Sequence, residues 1–348
     1  MKRFAKIISL LISAVMLLGV AALPVAAANS GSCGENLTWT FEDGILTISG
    51  EGEMADYRSV SPSTVAPWFD LPVTGIVVEE GVTSLGERAF SYFEDIESIS
   101  LPASLTKIGN GALMGVDADA VSIAEGNDAF KLVDSCLVSS DGVLLLGCDE
   151  SVIPTDGSVK SIGYGAFAGC NLTELVIPEG ILSIGDKAFS GCKSLVSVKL
   201  PEGVKGIGRE AFAGCTKLAD VTLSDGLTHI MYYAFSGCTS LQSVTLPASV
   251  KEIIPEAFDS NVKLNVYALS YAASFAEYYG YNYAIIGTLG DFDADGIVTV
   301  SDALTALRIA AQLSEADAAA IATGDVDLDG RIDVDDALVI LRAAAGLK

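Results

Sequence analysis

The chain has 348 residues, half of them hydrophobic, and a formal net charge of −25. This composition supplies enough apolar surface for one to three packed domains and excludes an extensively disordered chain. The negative charge, with no basic cluster beyond the extreme N-terminus, excludes nucleic acid as a partner and favours divalent cations.

The N-terminus has the pattern of a secretory signal. Lys2, Arg3 and Lys6 precede an apolar run from Ile7 to Leu23, and Pro24 and three alanines ending at Ala28 follow it. This order is typical of a signal peptide, here residues 1–28, that is cleaved after Ala28. A retained membrane anchor is the alternative, but the proline and the alanines favour cleavage. We therefore expect a secreted, extracellular chain with no membrane span after signal removal.

A repeat of about 23 residues runs from Val82 to Phe258. The string V-K-S-I-G-Y-G-A-F-A-G-C, which ends at Cys170, recurs in copies that end at Cys192, Cys215 and Cys238. Looser copies begin at Val82, Leu105 and Val250. Such a period is typical of a solenoid, in which each repeat buries its apolar face against its neighbours.

Two repeat positions are expected to form rows inside the solenoid. The aromatic row is Phe90, Phe167, Phe189, Phe212, Phe235 and Phe258, with Leu113 on the rung of the second repeat. The cysteine row is Cys170, Cys192, Cys215 and Cys238. A metal or redox site is one interpretation of the cysteines. Strands stacked ~5 Å apart do not supply the convergent ligands that zinc needs, so small buried hydrophobes are favoured.

The interval between Ile108 and Ile162 is longer than two repeats. It contains Asp141-Gly142 between two apolar runs, which predicts a β-hairpin. Cys136 and Cys148 flank this hairpin and are the one pair that we consider for a disulfide. Because the chain has seven cysteines, at least one thiol stays outside any internal disulfide.

The repeats resemble the BspA-like leucine-rich repeat family. The resemblance rests on the I-G-x-x-A-F-x-G-C blocks and on L-x-x-V-x-L-P segments such as Leu195–Pro201 and Leu241–Pro247. It implies a β-rich leucine-rich-repeat solenoid, and it associates the repeats with adhesion and protein binding.

Both ends of the repeats resemble the caps of that family. Gly34–Trp39, Gly44–Gly50 and Pro67-Trp68 resemble a β-rich cap ahead of the repeats, and Leu264–Ile286 resembles a closing cap. The resemblance implies an N-terminal β cap at residues 29–80 and a solenoid with its C-terminal cap at residues 81–286.

The outward strand positions do not identify a ligand for the repeats. They are Ser98, Ser100, Glu174, Val176, Ser197, Lys199, Asp220, Thr222, Ser243 and Thr245. This set lacks the aromatic and arginine anchors of binding hot spots, which favours a solvated sheet face. Tyr164, Tyr232 and Tyr233 follow the I-G pair or its equivalent and are expected to be exposed, as ordinary surface residues or as contacts for sugar rings or a protein.

Two acidic blocks of twelve residues follow Ile286. Each has aspartate at positions 1, 3, 5 and 12 and glycine at position 6, the pattern of an EF-hand loop that binds calcium through six to eight oxygens. Position 7 contributes its backbone carbonyl. The predicted ligands of two Ca²⁺ ions are Asp291, Asp293, Asp295, Ile297, Thr299 and Asp302 in the first loop, and Asp325, Asp327, Asp329, Arg331, Asp333 and Asp336 in the second.

Each acidic loop is followed by a single D-A-L-x-x-L-R segment, and no acidic helix precedes the first loop. Loop-helix duplicates with aspartate at position 12 resemble the type I dockerin family, here over residues 287–348. The resemblance implies a small all-α module that folds with calcium and binds a cohesin module of a scaffoldin in a cellulosome. The implied partner-binding residues are Val300, Ser301, Leu307, Arg308, Val334, Asp335, Leu341 and Arg342. Because Ser301 and Asp335 differ, one of two near-equivalent orientations is expected to be preferred.

The sequence offers little support for catalysis. The one histidine, His229, takes an outward position, and the motifs of serine, zinc and papain-like hydrolases are absent. Glycosidases need only two facing carboxylates, but stacked repeats offer no deep cleft for them. We therefore expect no catalytic residues and a non-catalytic component with a protein- or carbohydrate-binding repeat surface. The alternatives are an enzyme or inhibitor of plant polysaccharide breakdown carried by the dockerin, and an adhesin.

Overall fold

The computed structural model describes residues 29–57, 65–93, 95–147, 153–268, 270–294, 297–316, 318–326 and 331–346. The predicted signal peptide, Cys148, and the predicted ligands Asp295, Asp327 and Asp329 lie outside these ranges. Every helix within the described ranges is too short or too polar to serve as a membrane span.

The N-terminal part is an antiparallel hairpin that continues into parallel strands. Its strands are β1 (Ser30–Ser32), β2 (Leu37–Glu42), β3 (Ile45–Gly50), β4 (Gly52–Glu53), β5 (Gly75–Val78), β6 (Val82–Leu85), β7 (Ser98–Leu101), β8 (Lys107–Ile108) and β9 (Val121–Ile123), with a 3₁₀ helix at Ala118–Ala120. Strands β1, β2 and β3 pair antiparallel, and β3, β5, β7 and β9 pair in parallel. Strands β4, β6 and β8 form a second parallel sheet. The chain therefore enters the solenoid through a cap that shares a sheet with the first repeats.

The remaining strands form the longer half of the solenoid. They are β10 (Phe130–Val133), β11 (Cys136–Ser139), β12 (Val143–Leu146), β13 (Ser161–Ile162), β14 (Glu174–Val176), β15 (Ser183–Ile184), β16 (Ser197–Lys199), β17 (Gly206–Ile207), β18 (Asp220–Thr222), β19 (His229–Ile230), β20 (Ser243–Thr245), β21 (Glu252–Ile253), β22 (Lys263–Ala268) and β23 (Tyr283–Thr288). One sheet has the order β10-β11-β12-β13-β15-β17-β19-β21, and two others have the orders β14-β16-β18 and β20-β22-β23.

The isoleucine of the repeat sets the register of the long sheet. Ile162, Ile184, Ile207, Ile230 and Ile253 are each paired with the next in parallel strands, and all are buried. A constant repeat length places equivalent residues side by side, so the predicted solenoid is confirmed at this position.

The predicted aromatic row is correct only from Phe167 onward. Phe167, Phe189, Phe212, Phe235 and Phe258 are stacked with centroid separations of 5.2–5.3 Å. Phe90 instead stacks on Trp68 of the N-terminal cap, at 5.7 Å. The row ends at Phe167 because a Cβ on the adjacent Gly147 would lie 2.1 Å from the Phe167 ring, which leaves no room for another side chain.

The predicted hairpin is present and lies between two hydrophobic cores. Strands β11 and β12 pair antiparallel, and Gly142 has a φ of +90° in the turn that joins them. Val138 and Leu144 pack into the C-terminal core, whereas Leu137 and Leu146 pack into the N-terminal core. The inserted hairpin therefore divides the interior that the repeat pattern alone predicts to be continuous. Cys148 lies outside the described residues, so the Cys136–Cys148 disulfide stays a prediction.

Tyr164 is half-buried rather than exposed as predicted. Its hydroxyl accepts a hydrogen bond from the Arg88 guanidinium at 3.3 Å, and its ring lies against Gly111. The ring covers the junction between the two halves of the solenoid, because glycine at position 111 leaves space for it.

The cysteine row is buried, as predicted, in its last three members. The thiols of Cys192, Cys215 and Cys238 donate to backbone carbonyls of the preceding rung at 3.1–3.2 Å. A hydrogen bond with the Cys192 thiol, together with burial, raises the pKa of Cys215 to about 12. A protonated, buried thiol is a poor nucleophile and a poor metal ligand, so these cysteines act as small packing residues.

Helix α1 (Tyr271–Tyr279) closes the C-terminal end of the solenoid between β22 and β23. Ser270 caps its N-terminus and Gly280, with a φ of 72°, ends it. Ala272, Phe275 and Ala276 are buried and belong to the same core as the stacked phenylalanines. In the described part of the chain, helices α2 (Val300–Ala310), α3 (Ala318–Gly324) and α4 (Val334–Ala344) follow.

Helices α2 and α4 pack together around a small separate core. Its buried members are Ala303, Ala306, Ile332, Ala337 and Ile340. Among the described residues, this core shares none with the cores of the repeats. A core built largely from alanine buries little apolar surface, so we expect this region to need another source of stability.

Candidate metal centres and binding surface

The loops before α2 and α4 have the same internal hydrogen bonds. Asp302 at position 12 accepts from the amides of Phe292 and Thr299, both at 2.8 Å. Asp336 accepts from the amides of Val326 and Asp333 at the same loop positions, also at 2.8 Å. The duplication read from the sequence is therefore a structural duplication.

The position 12 aspartates also fix the start of each helix. Thr299 and Asp333 are the N-caps, and each forms a capping box with the aspartate three residues later. A capping box satisfies the free amides at a helix N-terminus and defines where the helix begins. The side chains of Asp302 and Asp336 thus connect the acidic loop rigidly to its helix. The sequence analysis missed this role, although the T-x-x-D and D-x-x-D spacings are a signal for it.

Three predicted ligands converge in the first loop. One carboxylate oxygen from each of Asp291, Asp293 and Asp302 lies within 4.8 Å of the other two. Oxygens that bind one Ca²⁺ at 2.3–2.6 Å are separated by at most about 5 Å, so this arrangement fits a calcium ion. Asp291 and Asp302 are buried and Asp293 is exposed. Thr299, another predicted ligand, is half-buried, and Ile297 is exposed, with its contribution limited to its backbone carbonyl.

The described ligands of the second loop follow the same burial pattern. Asp325 and Asp336 are buried, like their counterparts Asp291 and Asp302. Asp333 is half-buried, and Arg331, predicted to contribute its carbonyl, is exposed. Equal burial at positions 1 and 12 supports an equivalent site in the second loop.

The first cluster carries negative charge in a partly buried setting. Burial raises the pKa of Asp302, but hydrogen bonds from Thr299 and Phe292 outweigh this and hold the pKa below its ordinary value. Asp302 is therefore ionised at neutral pH beside two other carboxylates. Such a cluster is stabilised by a bound cation, and oxygen ligands of this kind select a hard divalent ion.

All eight predicted partner-binding residues are exposed. They are Val300, Ser301, Leu307, Arg308, Val334, Asp335, Leu341 and Arg342. Leu304 and Leu338, which the sequence analysis missed, are also exposed. Val300, Leu304 and Leu307 follow an i, i+4, i+7 spacing that places them on one face of α2, and α4 repeats this spacing. Each helix therefore has an apolar stripe in solvent as well as a buried face.

The strand faces of the repeats are solvated, as predicted. All ten predicted outward positions between Ser98 and Thr245 are exposed, and Val176 is 80% exposed. His229 is exposed and lies 3.7 Å from the Glu252 carboxylate. Tyr232 and Tyr233 are exposed as predicted, at 38% and 45%. The strand faces thus contain no concentrated group of anchors, whereas exposed tyrosines lie on the turns.

A family model described as a BspA type leucine rich repeat region matches residues 69–136 and 151–283, in six copies. No curated protein matches the chain significantly.

Several solved structures with similarity to this chain are bacterial leucine-rich repeat or surface proteins. A leucine rich cell surface protein from Faecalibacterium prausnitzii is 18% identical, with 75% of this chain and 96% of that protein covered and a TM-score of 0.44. The pneumococcal vaccine antigen PcpA is 15% identical, with 73% and 98% covered and a TM-score of 0.39. A leucine-rich repeat protein from Eubacterium ventriosum is 18% identical, with 67% and 94% covered and a TM-score of 0.29. Similarities of this size support no inference about function.

Proposed function

Because the chain belongs to the BspA-type leucine-rich repeat family, we propose that it is a secreted, non-catalytic binding protein whose C-terminal region attaches it to a partner in a calcium-dependent manner. In this proposal residues 287–348 are a type I dockerin that binds a cohesin module of a scaffoldin. The repeats then present a binding surface on the assembled extracellular complex.

The convergence of Asp291, Asp293 and Asp302 carries the proposal. These carboxylates belong to an acidic loop that occurs twice, and both copies have buried aspartates at positions 1 and 12. Because the core between α2 and α4 is small and rich in alanine, bound metal would contribute much of the stability of this region. Metal binding and folding are coupled in small domains of this kind.

The exposed stripes of α2 and α4 supply the proposed docking surface. Leucine and valine side chains that lie in solvent on two equivalent helices are a typical anchor for a protein partner. Arg308 and Arg342 at the same faces add hydrogen-bond donors for a polar rim. A cohesin would cover this surface only when calcium holds both helices in place.

Replacing Leu307 and Leu341 together by aspartate is expected to weaken cohesin capture about 30- to 1000-fold while leaving calcium binding intact. Both leucines are 40% exposed and lie outside the acidic loops, so the change affects the surface and not the ligands. Loss of two apolar interface contacts of this kind typically weakens binding by roughly 2–4 kcal/mol. Surface plasmon resonance with a panel of immobilised type I cohesins, in Ca²⁺ and in EGTA, measures the effect. Capture that survives EGTA, or a panel with no binder at all, contradicts the proposed function.

A further inference from the structure

A groove of about 370 Å³ lies where the last repeat meets α1. The residues relevant to binding are Tyr233, Glu256, Asp259, Tyr279 and Tyr281. Tyr233 and Tyr279 are 45% and 49% exposed, and Glu256 is also exposed. The described residues that line the groove include no lysine, arginine or histidine. It therefore offers aromatic rings and negative charge to solvent without a balancing cation.

The position of Glu256 in the repeat explains how this groove arises. Lys187, Glu210, Tyr233 and Glu256 precede the A-F pair of successive repeats and share left-handed φ values of 54–63°. Because the same backbone conformation recurs, the four side chains leave the solenoid in one row.

Earlier rungs of this surface already pair carboxylates and tyrosine rings with cations. Lys187 forms a salt bridge of 3.2 Å with Glu210 on the next rung. One position earlier in the repeat, the Arg209 guanidinium lies 5.3 Å from the centre of the Tyr232 ring. These two turn positions therefore supply one carboxylate–cation contact and one cation–π contact between neighbouring repeats.

The last rung lacks the cation that would complete this pattern. Lys187–Glu210 and His229–Glu252 are salt bridges on this part of the solenoid, whereas neither Glu256 nor Asp259 forms one with a described residue. Asp259 accepts hydrogen bonds from the Gly237 amide at 3.0–3.1 Å, which orients its carboxylate without neutralising it. Glu256 lies one rung after Tyr233 and shares the groove with Tyr279.

We propose that this groove binds an arginine side chain of a protein partner. A guanidinium is planar, pairs with carboxylates through fixed N–H donors and stacks on aromatic faces, and so matches both features of the groove. The charge of the chain, −25, also attracts a basic partner over longer distances. A neutral sugar would use the tyrosine rings but would gain nothing from the uncompensated carboxylates. This proposal rests on the proposed function, because it assigns a partner chemistry to the repeat surface.

The test uses the full-length chain in Ca²⁺ and a fluorescent peptide, Gly-Ser-Arg-Gly-Ser-Arg-Gly-Ser, at physiological ionic strength. The same peptide with citrulline in place of arginine keeps the shape and removes the charge. Fluorescence anisotropy is expected to show saturable binding of the arginine peptide only. Glu256→Gln and Tyr233→Gly are each expected to weaken it about fivefold, as for loss of one partly exposed cation–π or ion-pair contact. Glycine is a suitable replacement because Gly111 and Gly165 take the same repeat position with positive φ.

Glu174→Gln is the matched control, because it removes one exposed carboxylate from a strand face away from the groove. An equal loss of affinity in this control would reduce the effect to general charge attraction and overturn the proposal. Equal binding of the citrulline peptide, or no binding of the arginine peptide, would do the same. Binding of cellohexaose that depends on Tyr233 would identify a sugar site instead. Cohesin capture, measured on the same variants, should be unchanged, which separates failure of this proposal from failure of the proposed function.

Discussion

Replacing Asp291 and Asp325 together by alanine is expected to unfold the C-terminal helices and to abolish cohesin capture. Both aspartates are buried at position 1 of their loops. Without them neither loop retains its full set of carboxylate ligands, and the small core between α2 and α4 must hold the helices alone. At a calcium concentration about a thousand times the Kd, each lost site removes about 4 kcal/mol of stabilisation.

Far-ultraviolet circular dichroism in Ca²⁺ and in EGTA measures this effect. The wild-type chain should gain helical signal with calcium, whereas the double variant in calcium should resemble the wild-type chain in EGTA. The transition of the repeats should stay unchanged, because the described residues of the C-terminal core belong to neither core of the repeats. Glu315→Ala, an exposed acidic residue outside both loops, is the control and should behave as wild type. A joint loss of both transitions would show that the two regions are not independent.

Replacing Phe212 by alanine is expected to destabilise the repeats by about 3–5 kcal/mol, the usual cost of removing a buried phenylalanine. Phe212 is fully buried and stacks on Phe189 and Phe235, each at 5.2 Å. Its loss leaves a cavity in the middle of the row, and the neighbouring rungs cannot close it because their spacing is fixed by the strands.

Chemical denaturation in the presence of Ca²⁺, followed by tyrosine and tryptophan fluorescence, measures the loss. Tyr278→Ala removes a ring that is 81% exposed and should change the free energy of unfolding by about 0.5 kcal/mol or less. If Phe212→Ala lowered the free energy of unfolding by no more than Tyr278→Ala does, the aromatic row would not be a source of stability for the repeats. The calcium-induced helical signal should be the same in both variants.

The repeat length was sufficient to predict much of the solenoid. Equal steps between Ile184, Ile207, Ile230 and Ile253 require in-register parallel strands, and the structure has them. The burial of Cys215 follows from the same regularity, since four successive copies place a cysteine at this position.

Departures from the period were harder to predict. The hairpin of Cys136–Ser139 and Val143–Leu146 was predictable from its turn. That it separates two hydrophobic cores was not, because this requires both of its faces to be buried. The arrangement of Tyr164 over Gly111 joins residues from different repeats, and a local pattern carries no signal for that contact.

In the acidic loops, too, the sequence predicted some features of the structure and not others. Their ligand spacing predicted the convergence of Asp291, Asp293 and Asp302. The hydrogen bonds from Phe292 and Val326 to the position 12 aspartates depend on how each loop folds back on its helix, and the spacing alone did not reveal them.

Calorimetric titration of the full-length chain with Ca²⁺ tests the central claim most directly. Uptake of two ions per chain is expected for the wild type, and no uptake is expected when Asp291 and Asp325 are both alanine. A wild-type chain that binds no calcium, or a double variant that binds as the wild type does, would contradict a metal-dependent C-terminal module.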